Sequence, residues 1–263
     1  MDKNKLVYSL VLIAIILIAV FAFLPRNTQE SAPETTVTTT TLSSDLSVNK
    51  EILYQSIDGF GSVTSYSADT ILKVYYKDEP STIITSTHIK YDAVIDDAVK
   101  KMHLIISSDK YNMSTEEYLI GTKFYWKSGE SGNWTVKDVP AADTETSWDA
   151  AGQKETINAG EVVSAYDEVV SGVNCRSVEI RLTDAALIDE FKKNILTFLP
   201  NEPGKTYELK EILFKRSLDK ETLLPIRYST TAELTGGDGK IIVIKETSEY
   251  GDFNKGFEIN APE

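Results

Sequence analysis

The sequence predicts an α+β, mainly β protein: an N-terminal transmembrane helix, then a curved antiparallel sheet wrapped around one or two helices. Three observations lead there. The run Leu6–Leu24 is uncharged and apolar; long stretches after Tyr66 alternate apolar and polar side chains; and two segments, Leu46–Ile57 and Leu187–Leu199, space their apolar residues like amphipathic helices.

At about 1.5 Å per residue, Leu6–Leu24 reaches nearly across the ~30 Å hydrocarbon core of a bilayer. It lacks the tight small-x-small ending of a cleaved leader, since Phe21 and Phe23 flank Ala22. Lys3 and Lys5 precede it, whereas Arg26 stands alone after it and is followed by Glu30 and Glu34. The positive-inside bias therefore predicts a single-pass protein of the cytoplasmic membrane, N-terminus inside and C-terminal domain outside. Residues 1–26 form the cytoplasmic tip and anchor, and 27–45 a stalk whose Thr cluster, Thr35 to Thr41, offers too little apolar surface to fold alone. Residues 46–263 are the outer domain. Its sequons at Asn112 and Asn133 are candidate glycosylation sites.

Within that domain, Leu46, Val48, Ile52, Leu53 and Ile57 make the first helix, ending at Gly59 and Gly61. Period two then takes over. Tyr66, Ala68, Thr70, Leu72, Val74 and Tyr76 alternate with polar residues, and Asp78-Glu79-Pro80 turns the chain into a run carrying Ile89, Tyr91 and Ala93. Met102, Leu104 and Ile106 continue the meander, followed by Tyr118, Ile120, Phe124 and Trp126. Residues 141–152 read as a loop with a short helix carrying Trp148. Strand character returns at 173–182, Asp184 sits as N-cap of the second helix, and Pro200 stops it. Three further strands, 207–216, 226–234 and 241–250, close the chain, the last two joined by Gly236-Gly237-Asp238-Gly239. About eight strands are expected.

Composition excludes several classes. With 40 Asp and Glu against 27 Lys and Arg, the chain carries a net charge of −13, which disfavours nucleic acid as a partner. One cysteine cannot form an internal disulfide. His88 and His103 fall on polar strand faces, and no nucleophile elbow or His-Glu-x-x-His pair is present, so no catalytic residue is assigned. Gly204-Lys205-Thr206 lacks the first glycine of a phosphate loop. Asp143, Glu145, Ser147 and Asp149 begin like a calcium loop, but Trp148 takes the glycine position and Lys154 the closing carboxylate. No metal or cofactor is expected.

What remains is an inward-facing row of aliphatic and aromatic side chains. Tyr66, Leu72, Val74, Tyr76, Ile89, Tyr91, Met102, Leu104, Tyr118, Ile120, Phe124 and Trp126 are the candidate lining of a concavity for an acyl or isoprenoid chain. The other reading of these residues is that they fill the core around the helices, leaving an envelope structural or interaction module.

The order of elements carries a resemblance. Lys100-Lys101-Met102, the segment Tyr118–Trp126 followed by Asn133-Trp134-Thr135, Val170–Cys175 leading into a strand and an Asp-initiated helix, and Leu218-Asp219-Lys220-Glu221-Thr222-Leu223-Leu224-Pro225-Ile226 together resemble the lipoprotein carrier-like superfamily of LolA, LppX and LprG and their archaeal relatives. The resemblance implies a half-barrel around a helix, a cavity for lipid or for the acyl chains of an acylated protein, and no catalytic residues. The peptide anchor departs from the free or lipidated carriers, so tethered binding fits better than shuttling.

Overall fold

The computed structural model describes residues 42–95, 100–108, 113–129, 132–139, 150–195 and 206–262. The expected membrane span, the stalk as far as Thr41, Asp143 to Asp149 of the calcium-like loop with Trp148, and Asn112 lie outside these residues; the last four residues assigned to the stalk, 42–45, are instead helical. Among those described, no helix is long and apolar enough to cross a membrane.

The chain forms helix α1 (Leu42–Phe60), strands β1 (Ser65–Tyr76), β2 (Glu79–Ile95), β3 (Lys100–Ser108), β4 (Met113–Ile120), β5 (Lys123–Ser128) and β6 (Thr135–Asp138), then helix α2 (Ala150–Asn158). Strands β7 (Gly160–Val170) and β8 (Val173–Leu182), helix α3 (Ala185–Ile195), and strands β9 (Tyr207–Asp219), β10 (Pro225–Gly236) and β11 (Ile241–Gly251) complete it. All eleven strands join one antiparallel sheet in the order β6-β5-β4-β3-β2-β1-β11-β10-β9-β8-β7. Two meanders thus meet where the first strand pairs with the last. The sheet is curved and open, with β6 and β7 at its edges.

The expected eight strands are eleven among the described residues, for identifiable reasons. Strand β7 reads poorly because a register shift between Val162 and Ser164 breaks its alternation, and β6 is four exposed residues. The stretch read as one run from Tyr118 to Trp126 is two strands, β4 and β5, joined at Gly121-Thr122, where Gly121 takes a left-handed φ of 58°.

The helices pack on one face of the sheet, called inner here, and lie against β7, β8 and β9. Leu53 and Ile57 of α1 and Ile157 of α2 meet Val162, Val178, Ile180 and Leu218. Helix α3 begins where Asp184 Oδ1 accepts hydrogen bonds from the amides of Ala186 (2.9 Å) and Leu187 (3.0 Å), the N-cap the sequence called for. Its Leu187, Ile188 and Phe191 join the main core, with Phe191 against Phe214 at 5.3 Å between ring centroids. Lys192 and Lys193 occupy its last turn, favourably placed for the helix dipole.

The hairpin between β9 and β10 is built by Asp219. Its carboxylate accepts from the Glu221 amide (3.0 Å) and the Thr222 hydroxyl (2.8 Å), while Leu223 adopts a φ of 58° and the Asp219 amide donates to the Leu224 carbonyl. Cys175 is buried between Glu168 and Asp219 of the neighbouring strands, and burial pushes its thiol up.

Candidate functional site on the inner face

Antiparallel register fixes which side chains share a face, because directly opposed residues point the same way. From β11 outward, one row runs Tyr250, Ala68, Tyr91, Leu104, Glu117, Trp126, and the next runs Ser248, Thr70, Ile89, Ile106, Thr115. Both lie on the inner face with Leu72 and Val74. Ten of the sequence-predicted lining residues are on this face: Tyr66, Leu72, Val74, Tyr76, Ile89, Tyr91, Met102, Leu104, Phe124 and Trp126.

Two are not. Tyr118 is opposed by His103 and Tyr125, and Ile120 by Lys101 and Lys123, so both belong to the outer face; Leu119, opposed by Met102 and Phe124, takes the inner position instead. The tight β4–β5 turn resets the alternation, so parity counted from Trp126 back through the turn gives the wrong face. Tyr118 has its own place outside. Its ring stacks on His103 at 4.3 Å, and its hydroxyl donates to Glu116 Oε1 at 2.9 Å. Glu116 also pairs with Lys127 at 2.6 Å, and that ammonium stands 4.6 Å over the ring of Trp134. Burial raises Glu116, but the hydrogen bonds from Lys127, Tyr118 and His103 outweigh it and hold the carboxyl below its usual value. His88 likewise sits outside, 2.5 Å from Asp69.

The inner face changes character across the sheet. Under the helices, two guanidinium groups are tied to side-chain amides: Arg176 donates to Asn49 at 3.0 Å and Arg216 to Gln153 at 2.5 Å. Between β9 and the helices, a crevice of about 20 Å³ lined by Leu53, Gln153, Ile157, Arg216 and Tyr228 has room for about one water. At the end of the sheet where α1 finishes, Phe60 packs against Tyr66 (5.0 Å) and Tyr66 against Tyr91 (5.7 Å) and Tyr250 (6.1 Å); burial pushes all three phenols up. On β2 to β5 the face is aliphatic and aromatic, from the buried Ile89, Met102, Leu104 and Ile106 to the half-buried Leu119, Phe124 and Trp126, the last two stacked at 5.5 Å.

Two carboxyls interrupt this apolar surface. Glu117 is 0% exposed, between Leu104 and Trp126; Oε1 accepts from the Thr115 hydroxyl at 3.2 Å and Oε2 has no partner. Burial, opposed by the Thr115 bond, raises it to about 7. Glu246 is 7% exposed, between Leu72 and Thr230, and burial raises it to about 8. Sequence reasoning passed over both. The signal was there for Glu246, a charged residue at an inward position between Ile244 and Ser248.

A second concavity lies outside. About 430 Å³ of open groove is bordered by Ser67, Asp69, Lys90, Asp92, His103 and Glu249, a mixed-charge surface without a buried polar anchor. Among the described residues no three His, Cys, Asp or Glu side chains gather as a metal site. Asn133 is exposed, just before β6.

No family model matches the chain, and no curated protein matches it. Solved structures resemble this chain at low identity. The lipoprotein LppX of Mycobacterium tuberculosis is 10% identical with a TM-score of 0.48, the match covering 81% of this chain and 99% of LppX. A DUF1329 family protein from Desulfovibrio piger is 9% identical (TM-score 0.27; 81% of this chain and 95% of that one). A β-barrel-like protein with a DUF1849 domain from Brucella abortus is 10% identical (TM-score 0.23; 72% and 99%). These are likenesses of fold alone.

Proposed function

We propose that this chain is a membrane-tethered protein whose outer domain takes up a lipid or other apolar ligand along the inner face of β2 to β5, by shape and burial and without catalysis. The tether is the apolar run Leu6–Leu24, with the short N-terminus inside and the domain outside. One observation carries the reading: the backbones of the described helices lie nearest β7 to β9, whereas the apolar inner face continues across the seven strands beyond β9, as far as Ile89, Leu104, Leu119, Phe124 and Trp126 on β2 to β5. An aromatic-rich concave surface of that extent suits an acyl chain, free or on an acylated protein.

The near-complete burial of Ile89 and Leu104 favours a second reading, an envelope structural module whose inner face is filled by its own chain. Full-length protein in liposomes doped with a photoactivatable fatty acid separates the two. Adducts on peptides containing Leu104, Leu119 or Trp126 support ligand uptake. Adducts confined to residues 6–24 overturn it.

A further inference from the structure

The interior of the half-barrel is not uniformly apolar, and its exceptions differ in kind. The inner-face cations Arg176 and Arg216 are each hydrogen-bonded to an amide beneath the helices. Glu117 lies in the other half of the sheet, on β4, and it faces inward with one oxygen bonded to Thr115 and the other to nothing. A carboxyl oxygen that is fully enclosed and unbonded costs free energy that a leucine in its place would not. Its surroundings give no structural return: Leu104 and Trp126 flank it across the strands, and Thr115 and Leu119 are its inner-face neighbours along β4.

From this we infer that Glu117 Oε2 is the acceptor for a hydrogen-bond donor on the ligand, so that the inner face takes an amphiphile ending in a hydroxyl or amine rather than a carboxylate or phosphate. The inference rests on the uptake reading above and narrows it. An anionic head would find no cation beside either inner-face carboxyl, Glu117 or Glu246, among the described residues to offset its charge. A donor head satisfies the open oxygen and lies against the Trp126 ring, whose strand, β5, is one from the open edge β6.

The experiment uses full-length chain in lipid nanodiscs, with Trp134→Phe and Trp148→Phe so that Trp126 is the reporter. Brominated twelve-carbon alcohol and its methyl ether, identical but for the donor, are titrated while Trp126 fluorescence is read. The alcohol is expected to quench at a concentration about tenfold lower than the ether, a gap that Glu117→Gln retains and Glu117→Leu narrows to within about twofold. Equal quenching by both probes in the Glu117 chain overturns the donor inference and leaves uptake standing. Quenching by neither overturns both. A tenfold gap that persists in Glu117→Leu also overturns the assignment, because the discrimination then arises elsewhere.

Discussion

The Thr70 and Ser248 hydroxyls meet at 2.8 Å in the buried seam between β1 and β11, joining residues far apart in sequence. Removing one partner leaves the other enclosed and unbonded, so Ser248→Ala should cost about 1–3 kcal/mol. Replacing both, as Thr70→Val with Ser248→Ala, should recover most of that loss. Urea midpoints of the two single variants and the double variant test it; a double variant as weak as the sum of the singles contradicts the pairing.

Ionisation of the inner-face carboxyls should make stability fall toward alkaline pH. Glu117 and Glu246 keep their protons up to about 7 and about 8 because burial disfavours the charged form, whereas the unfolded chain releases them near the usual value. Between those limits the folded state binds more protons, and stability declines by up to about 1.4 kcal/mol per pH unit for each group. Glu168 works oppositely. Burial pushes it up, but hydrogen bonds from Lys215, Ser177 and Ser217 prevail and lower it to about 2, so its contribution is present above its unfolded value and is lost as pH falls toward 2. Urea midpoints from pH 3 to 9 should peak on the acidic side of neutrality, and Glu246→Gln should flatten the alkaline limb. A midpoint that climbs from pH 5 to 8 would refute this assignment.

Leu72 and Leu104 sit on the inner face and are almost wholly buried. Leu72→Asp or Leu104→Asp places an unpaired charge there, and each should unfold the domain or lower its melting temperature by more than 10 °C, on the order of 3 kcal/mol or more. Circular dichroism melts decide the matter. Retention of full stability by either variant would mean that its strand presents the opposite face.

The phase of β4 has its own test. Leu119 faces in and Tyr118 faces out, so Leu119→Asp should be severely destabilising, whereas Tyr118→Ala should cost about 1 kcal/mol through loss of stacking on His103 and the bond to Glu116. Reversal of that order in thermal melts would restore the alternation read across the turn.

That turn also marks the limit of what the amino acids disclose. Where alternation runs unbroken, as from Tyr66 to Tyr76, the sequence assigns the face of every residue; where two residues close a hairpin inside an apolar stretch, parity is lost at Gly121-Thr122. The cap at Asp184 was legible because a local carboxylate satisfies local amides, whereas the turn at Asp219 was marked only by the family resemblance. The strand order was not, since the pairing of β1 with β11 depends on contacts spanning nearly the whole domain. Glu117 escaped notice for the same reason as Tyr118, one residue away on the opposite side.

Strand order has a consequence for how the domain is made. Because β1 lies between β2 and β11, the first strand synthesised waits for the last before its second edge is covered. A nascent chain emerging N-terminus first can assemble β1 to β6, yet it presents an open flank along β1, free to join a stranger's strand, until Ile241–Gly251 arrives. Translation that stops short of Ile241 therefore yields a half-sheet exposed at its middle, and the final strand acts as the latch that ends the vulnerable interval.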